Sequence, residues 1–557
     1  MRLRKEFVKM RGEWIILFIV IPLFGSFFVL LEQIWPKIKI TKFAVIGVYT
    51  LCFILVVSYA PAILRGDRYE NVIGNWNSAV GIYQSLDGLA WFGLVFMYLI
   101  SALSLCFAFA EKRYDGSFYF FFLTLLSGMA GVLLASDLFN LFVCIEIASI
   151  CTYILISYSQ KDRAIWASFK YLLLSSLGIC FFLIGVLIVY KNTGTMHMGG
   201  FSNYFALNNP PSMESSLAIA CLVTGIGIRT AFIPFHTWLP EAHSYAPHPV
   251  SAILSGVVIK INFLALWRLI TISGLEGVST YILWMGVFTA IIGIIGALMQ
   301  TDCKLLLAWH SVSQMGYILA GFGAGTFISM SGSLYHVFSH ALFKSLLFLS
   351  VGTVILNTGE RSIKKISGQA RSMPFVAVVF LVGALSISGI PPFNGFISKK
   401  LILYGLEEFP VAYWSLWAVS VGTVASFIKL SALFRGKTSP IRPPVSGFKN
   451  NAFFLGKLSM LILAVFCLCT GIFESFFLKN CIIPLLGQQL VSIPNFWEIG
   501  TLFNSGANIL FGILIFFLIM SYRGKEIQRA FSRLAIPYEW TLALLLSGFL
   551  AIFGFVF

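Results

Sequence analysis

Charge is scarce in this chain. Of 557 residues only 11% are Asp, Glu, Lys or Arg, and carboxylates are the rarer sort, 22 against 38 basic side chains. Soluble domains carry about a quarter charged residues, so a conventional soluble protein is excluded. Also lacking are a glycine-rich nucleotide loop, a metal-ligand spacing and a nucleophile elbow. No catalytic chemistry of its own, no cofactor and no metal are therefore expected. The ten cysteines are scattered, most of them, such as Cys106, Cys144, Cys180 and Cys221, inside apolar runs. Cys467 and Cys469 form an isolated C-x-C, so neither a disulfide framework nor a zinc or iron–sulfur site is expected. The net charge of +16 would suit nucleic acid. Its basic residues instead crowd into short loops, as cytoplasmic loops of membrane proteins do, and no nucleic-acid partner is expected.

What is present is hydrophobic: 58% of the residues, with 16% aromatic. Apolar runs fall near 14–31, 43–64, 86–110, 116–136, 138–158, 164–190, 215–235, 248–272, 278–299 and 304–326. Others fall near 331–357, 373–405, 411–434, 453–478, 505–522 and 539–557. Runs near 20 residues long span a bilayer, so the fold class is an all-α polytopic membrane protein of about sixteen transmembrane helices. Four sections follow: N-terminal helices over 1–115, a first repeat over 116–272, a second over 278–434, and C-terminal helices over 435–557. The last section holds a basic, proline-rich internal loop, RGKTSPIRPPVSGFKNN, and a short amphipathic segment near 523–538. The basic N-terminal tail leads into an apolar run with no small-residue cleavage site, which predicts a retained helix.

Loop charge sets the expected orientation. With the N-terminus outside, inner loops collect Lys112, Arg113, Lys161, Arg163, Arg361, Lys364, Lys365 and Arg435 among others. Outer loops hold only Arg65, Arg68, Lys191, Arg268 and Lys479. Both termini are expected to be external.

Two helices should be broken at membrane depth. Between Gly225 and Arg268 the chain holds Pro234, Pro240, Pro247 and Pro249, which predicts a break near 229–249. Around it sit Arg229, His236, Glu241, His243, His248 and Lys260. Ser388-Gly389-Ile390-Pro391-Pro392 predicts a second break near 388–400, followed by Lys399 and Lys400. Lys399 keeps the better register with the break to face the interior, and Glu407 and Glu408 would lie at the outer mouth. Broken backbone and charge are tolerated in hydrocarbon where they line an enclosed or watery path.

The two halves resemble each other. Ala167-x-Phe-Lys170-x-Leu-Leu matches Ala341-x-Phe-Lys344-x-Leu-Leu, and Pro234-Phe-His parallels Pro392-Phe-Asn. Beyond each break a helix carries one lysine, Lys260 or Lys429. Corresponding members stand five helices apart, an odd number, so the copies enter the membrane from opposite sides. Inverted repeats with broken helices are the architecture of ion-coupled transporters.

Single charges mark the path. Glu146 sits mid-helix among apolar residues and needs a cation or a proton, and Arg229 is the candidate partner. Lys170, Lys260 and Lys344 occupy similarly apolar helices, where burial penalises the charged form and lets a lysine exchange a proton. Lys429, near a helix end, is as readily read as snorkelling to the interface. His336, His340 and Lys344 recur every four residues on one helical face, with His310 in the helix before. Such a stack can relay protons, against the alternative of hydrogen-bonded core. No carboxylate or thiol joins these imidazoles to make a metal site.

With these residues in hand, the chain resembles the antiporter-like proton-channel subunits of respiratory complex I, multisubunit sodium/proton antiporters and membrane-bound energy-converting hydrogenases. The resemblance covers about residues 85–435 and rests on PFHTWLPEAHSYAPHPVSA, HSVSQMGY, HALFKSLLFLSVG and SGIPPFNGFISKK. It implies a fourteen-helix core with two five-helix inverted repeats. It also implies Glu146 as the carboxylate of the fifth helix, Lys260 as the central proton carrier, and the His336–His340–Lys344 face and Lys399 as the path outward. Where such proteins usually carry a lysine five residues before Pro-Phe-His, this chain has Arg229, which stays protonated.

The function expected is translocation of protons, with sodium an open second ion, by a membrane subunit of a redox-driven or antiporter complex. Expected partners are homologous antiporter-like and small hydrophobic subunits and a peripheral redox arm, in a prokaryotic cell membrane. A stand-alone secondary transporter and a non-conducting scaffold remain open alternatives.

Overall fold

Aspartate and proline start many of the helices, and glycine stops several. Asp87, Asp115, Asp137 and Asp302 each accept first-turn N–H groups with a side-chain oxygen, and Pro374 and Pro410 open helices whose first N–H would be unpaired anyway. Gly194, Gly274, Gly359 and Gly389 end helices in the left-handed region. The computed structural model describes residues 12–35, 37, 39–74, 81–207, 212–274, 276–437, 453–487, 494–521 and 538–556. Most of the proline-rich loop after Phe434 and the amphipathic segment near 523–538 lie outside the described residues.

The chain opens with α1 (Leu17–Ile34), α2 (Thr41–Ile63) and a hairpin of β1 (Tyr69–Ile73) and β2 (Ile82–Leu86). Then come α3 (Gly88–Glu111), α4 (Gly116–Leu134), α5 (Leu138–Ser157), α6 (Asp162–Thr193) and α7 (Met198–Leu207). The first broken region runs through α8 (Met213–Thr230), α9 (Leu239–Tyr245), α10 (His248–Ile253), a π turn over Leu254–Val258, and α11 (Ile259–Ser273). Next are α12 (Glu276–Met299), α13 (Cys303–Gly323), α14 (Phe327–Thr358) and α15 (Gln369–Ser372). The second break separates α16 (Pro374–Ser388) from α17 (Asn394–Tyr404), and α18 (Pro410–Leu430) follows. The chain finishes with α19 (Phe454–Ile472), α20 (Glu474–Phe477), α21 (Ile499–Met520) and α22 (Tyr538–Val556).

Twelve helices among the described residues are long and apolar enough to cross a membrane, below the sixteen expected. The remaining apolar runs differ for physical reasons. α8 and α13 carry too many polar side chains, Arg229 and His310 among them, while α16 ends early at its break and only Trp540–Val556 of α22 counts as apolar helix. The purely helical expectation also missed the hairpin, whose antiparallel register pairs Tyr69 with Leu86 and Ile73 with Ile82. Its β2 strand touches the α4–α5 turn through Ser136 N–H to Tyr83 O at 3.0 Å and Tyr83 N–H to Asp137 at 2.9 Å. Nearby, Arg268 at the end of α11 pairs with Asp87 at 2.6 Å.

The two halves correspond, but in another register than the sequence match gave. Asp137 and Asp302 both cap helices, α6 and α14 are both 32 residues long, and Gly194 and Gly359 both end them. Ser168 donates to Tyr153 O and Ser333 to Ile318 O, each at 2.7 Å. All these pairs are displaced by 165 residues, as from 137 to 302 and from 194 to 359. Lys170 then corresponds to Tyr335, and Lys344 lies nine residues, about two and a half turns, further along.

Candidate ion pathway

The first break positions Arg229. α8 stops at Thr230 because Ala231 adopts a φ of 57°, rare for a residue with a Cβ. The last-turn carbonyl of Ile228, which receives only a long bond of 3.3 Å from the Ala231 N–H, takes the Trp238 indole N–H at 2.8 Å, and Trp238 stacks on Tyr171 at 3.7 Å. Arg229 bridges to α5, with one arm on Ser149 Oγ and the other on Glu146 at 2.5 Å. Arg229 is 2% exposed and Glu146 31%. Glu146 shares its open helical face with Phe139, Val143 and Ile150.

A second pair lies beside it. Lys170 Nζ on α6 meets Glu241 on α9 at 2.9 Å, among exposed Ile165, Trp166 and Phe169. Two residues along α9, His243 is fully buried and neither ring nitrogen has a partner.

The interior row follows. Lys260 is fully buried, and its Nζ donates to the carbonyl of Ser255 inside the π turn, whose own Oγ lies 2.7 Å from Ser311 Oγ. Lys344 donates to Leu307 O, and Lys399 to Ile387 O at 2.8 Å with Tyr317 beneath its ammonium at 4.9 Å. Ile387 lies in the last turn of α16, where carbonyls lack helical donors and the dipole is negative, a natural seat for a cation. Between them, His336 bonds Ser398 Oγ at 2.8 Å and Gln314 Oε1 at 3.1 Å. The His336 and His340 rings stack at 6.0 Å, and both nitrogens of His340 are unpartnered. His340 has Lys260, Lys344, His336 and His243 as its charged or titratable neighbours. Among the described residues no carboxylate lies within ion-pair distance of Lys260, Lys344 or Lys399.

Other expected residues make contacts of their own. His310 bonds Ser426 and has Lys344 and Lys399 as its charged neighbours, and His236 packs its ring against Trp309 at 5.6 Å. Lys429 donates to Leu298 O at 2.8 Å and Gln300 O at 2.6 Å, which caps the end of α12. Lys400 is half-buried where Lys399 is buried. Sequence reasoning passed over Lys304, 2% exposed with its Nζ on Ala246 O at 2.7 Å, because a lysine beside a helix start normally faces water. It also passed over Gln314, although four residues after His310 put it on the same helical face. No group of three or more His, Cys, Asp or Glu able to hold a metal occurs among the described residues.

Spanning helices, two of them discontinuous around a buried row of lysines and histidines, define an antiporter-like membrane protein. The chain belongs to the NADH:quinone oxidoreductase/Mrp antiporter transmembrane family, whose profile matches residues 135–429. It is 35% identical over 392 residues to the N-type subunit of NADH-quinone oxidoreductase from Desulforudis audaxviator, covering 68% of this chain and 76% of that one. It is 32% identical over 435 residues to the D-type subunit of the Na(+)/H(+) antiporter from Alkalihalophilus pseudofirmus, covering 75% and 85%. In fold it matches a chain of the Mrp complex from Dietzia sp. DQ12-45-1b with a TM-score of 0.76 at 24% identity, covering 90% of this chain and 99% of that one. A chain of the membrane-bound sulfane sulfur reductase, an archaeal respiratory membrane complex, matches with a TM-score of 0.76 at 23% identity, covering 89% and 99%.

Proposed function

We propose that this chain carries protons across a prokaryotic cell membrane as one subunit of a multisubunit assembly, with sections 116–272 and 278–434 as two half-channels. The observation that carries this reading is that Lys260, Lys344 and Lys399 hydrogen-bond to backbone carbonyls and to no carboxylate among the described residues. A carboxylate would hold each ammonium charged. A carbonyl accepts an N–H from the ammonium and from the neutral amine alike, so either protonation state keeps its seat. His340, free at both nitrogens, passes the proton between them and on through His336 toward Lys399.

Arg229 acts by charge only, because guanidinium does not release its proton. Opening or closing its pair with Glu146 changes the field felt by Lys260. The partly open face around Glu146 and Lys170 would set charge against lipid in isolation, so another membrane subunit covers it. A peripheral redox arm and sodium as a second ion fit the names of the relatives. The distribution of basic residues among the loops supports an orientation with both termini outside. The permanent charge of Arg229 also favours a second reading, a scaffold that conducts nothing.

Proton flux into vesicles bearing the assembled complex separates the two. Lys260→Ala is expected to abolish flux with assembly intact. Normal flux in the assembled variant would remove Lys260 from the path.

A further inference from the structure

On the face of the basic loops, the ends of α3, α5, α6, α9, α13 and α14 surround a cavity of about 680 Å3. Arg113, Lys161, Arg163, Lys304 and Arg361 line it against only two carboxylates, Glu111 and Asp162. Asp302 neutralises Arg361 from behind at 2.7 Å, which leaves the cavity cationic. Among the described residues no carboxylate lies within ion-pair distance of Arg113, Lys161, Arg163 or Lys304. Lys304 is the more telling of these, a buried ammonium whose hydrogen-bond acceptor is a single neutral carbonyl.

The basic groups are ordered rather than scattered. The guanidinium groups of Arg163 and Arg361 lie over the Tyr245 ring at 5.8 and 4.8 Å, so one aromatic plate seats two planar cations. Lys161 occupies the N-cap of α6 and gives no side-chain cap, so Asp162 and Arg163 bring an uncapped helix start to the wall. Such a start favours anions, and guanidinium matches phosphate in two-point geometry. Of the two carboxylates, Glu111 is nine-tenths buried and accepts the Tyr114 hydroxyl at 2.9 Å, while Asp162 is exposed in the first turn of α6 and offsets one of the cations.

We propose that this cavity is a binding site for a phosphate ester, with Arg163, Lys161 and Lys304 as its principal contacts. Its volume is that of a small-ligand pocket. Its walls are helix ends and the turns that join them, which places it at headgroup level on the face where basic pockets between spanning helices hold anionic lipid. A soluble phosphate offers the same chemistry. This assignment is independent of the proton path, and its failure leaves that reading untouched.

Native mass spectrometry of the intact complex in phosphatidylcholine nanodiscs, with and without phosphatidylglycerol, tests it. The wild type is expected to retain phosphatidylglycerol in preference to phosphatidylcholine. The double variant Lys161→Gln, Arg163→Gln is expected to lose that preference about tenfold, while Arg435→Gln, outside the cavity, keeps it. Thermal stabilisation by inorganic phosphate in phosphatidylcholine alone, absent from the double variant and without lipid preference, assigns the same site to a soluble phosphate. Equal retention in wild type and double variant, with no response to phosphate, overturns the proposal. Should the double variant not assemble, the wild type decides alone, and the absence of both preference and phosphate response overturns it equally.

Discussion

Arg229 and Glu146, 83 residues apart in sequence, meet at 2.5 Å, and they differ in surroundings: the arginine is sealed, the glutamate partly open. The cation is thus the fixed member and the carboxylate the one a neighbouring subunit can address.

Arg229→Lys is expected to keep most proton flux, because the charge survives although the two-armed contact with Ser149 and Glu146 is lost. Arg229→Ala leaves Glu146 without its cation, a change on the order of 3 kcal/mol, and flux should fail or move along the pH axis. Glu146→Gln should impair it as well. Flux across a pH series on the three variants decides the matter; near-normal activity in all of them places the pair outside the path.

Gly395 is packed against the second break so closely that a Cβ would stand 1.8 Å from Ser386 O. Gly395→Ala should cost about 1–3 kcal/mol through overpacking and disturb the neighbouring Ile387 carbonyl that seats Lys399. A lowered Tm together with reduced flux is expected. Gly554→Ala, with nothing within 4 Å of its Cβ, should change neither.

Lys429→Met should lower stability by about 1–2 kcal/mol through loss of its bonds to the end of α12, and leave flux within about twofold. A loss of flux in the assembled variant, matching that of Lys260→Ala, would show that Lys429 carries protons.

Outside the spans, the Glu360 carboxyl is held below its usual range, first by the Arg361 backbone N–H at 2.9 Å and then by that of Ser362. A lowered folded value means that its stabilisation is present above the ordinary 4.5 and lost as pH falls through the lower folded value. Glu360→Gln should therefore unfold at a lower temperature than wild type at neutral pH, with the gap narrowing in acid. A gap that does not change with pH would assign the effect to something other than this titration.

The breaks were legible because proline and Ser388-Gly389 announce them locally, and the His336–His340–Lys344 face because helical spacing does. The Lys170–Glu241 pair was not, since 71 residues separate its members and only the packing of α9 against α6 joins them. The hairpin escaped because its five-residue strands are half-exposed and carry weak alternation. The sequence match of Lys170 with Lys344 followed composition, whereas helix ends set the true register, and those ends are written in single Asp and Gly residues that an apolar match overlooks.

The π turn over Leu254–Val258 makes the bearing of Lys260 a question of helical phase. Such a turn amounts to one surplus residue in an α-helix, and one residue corresponds to about 100° of rotation. Deleting a single residue there would let the helix close regularly and swing the lysine away from His340 and Lys344 without substituting any ionisable side chain on the path. Proteins that share all these ionisable residues could thus differ in conduction through chain length alone, a distinction that comparing residue identities would not detect.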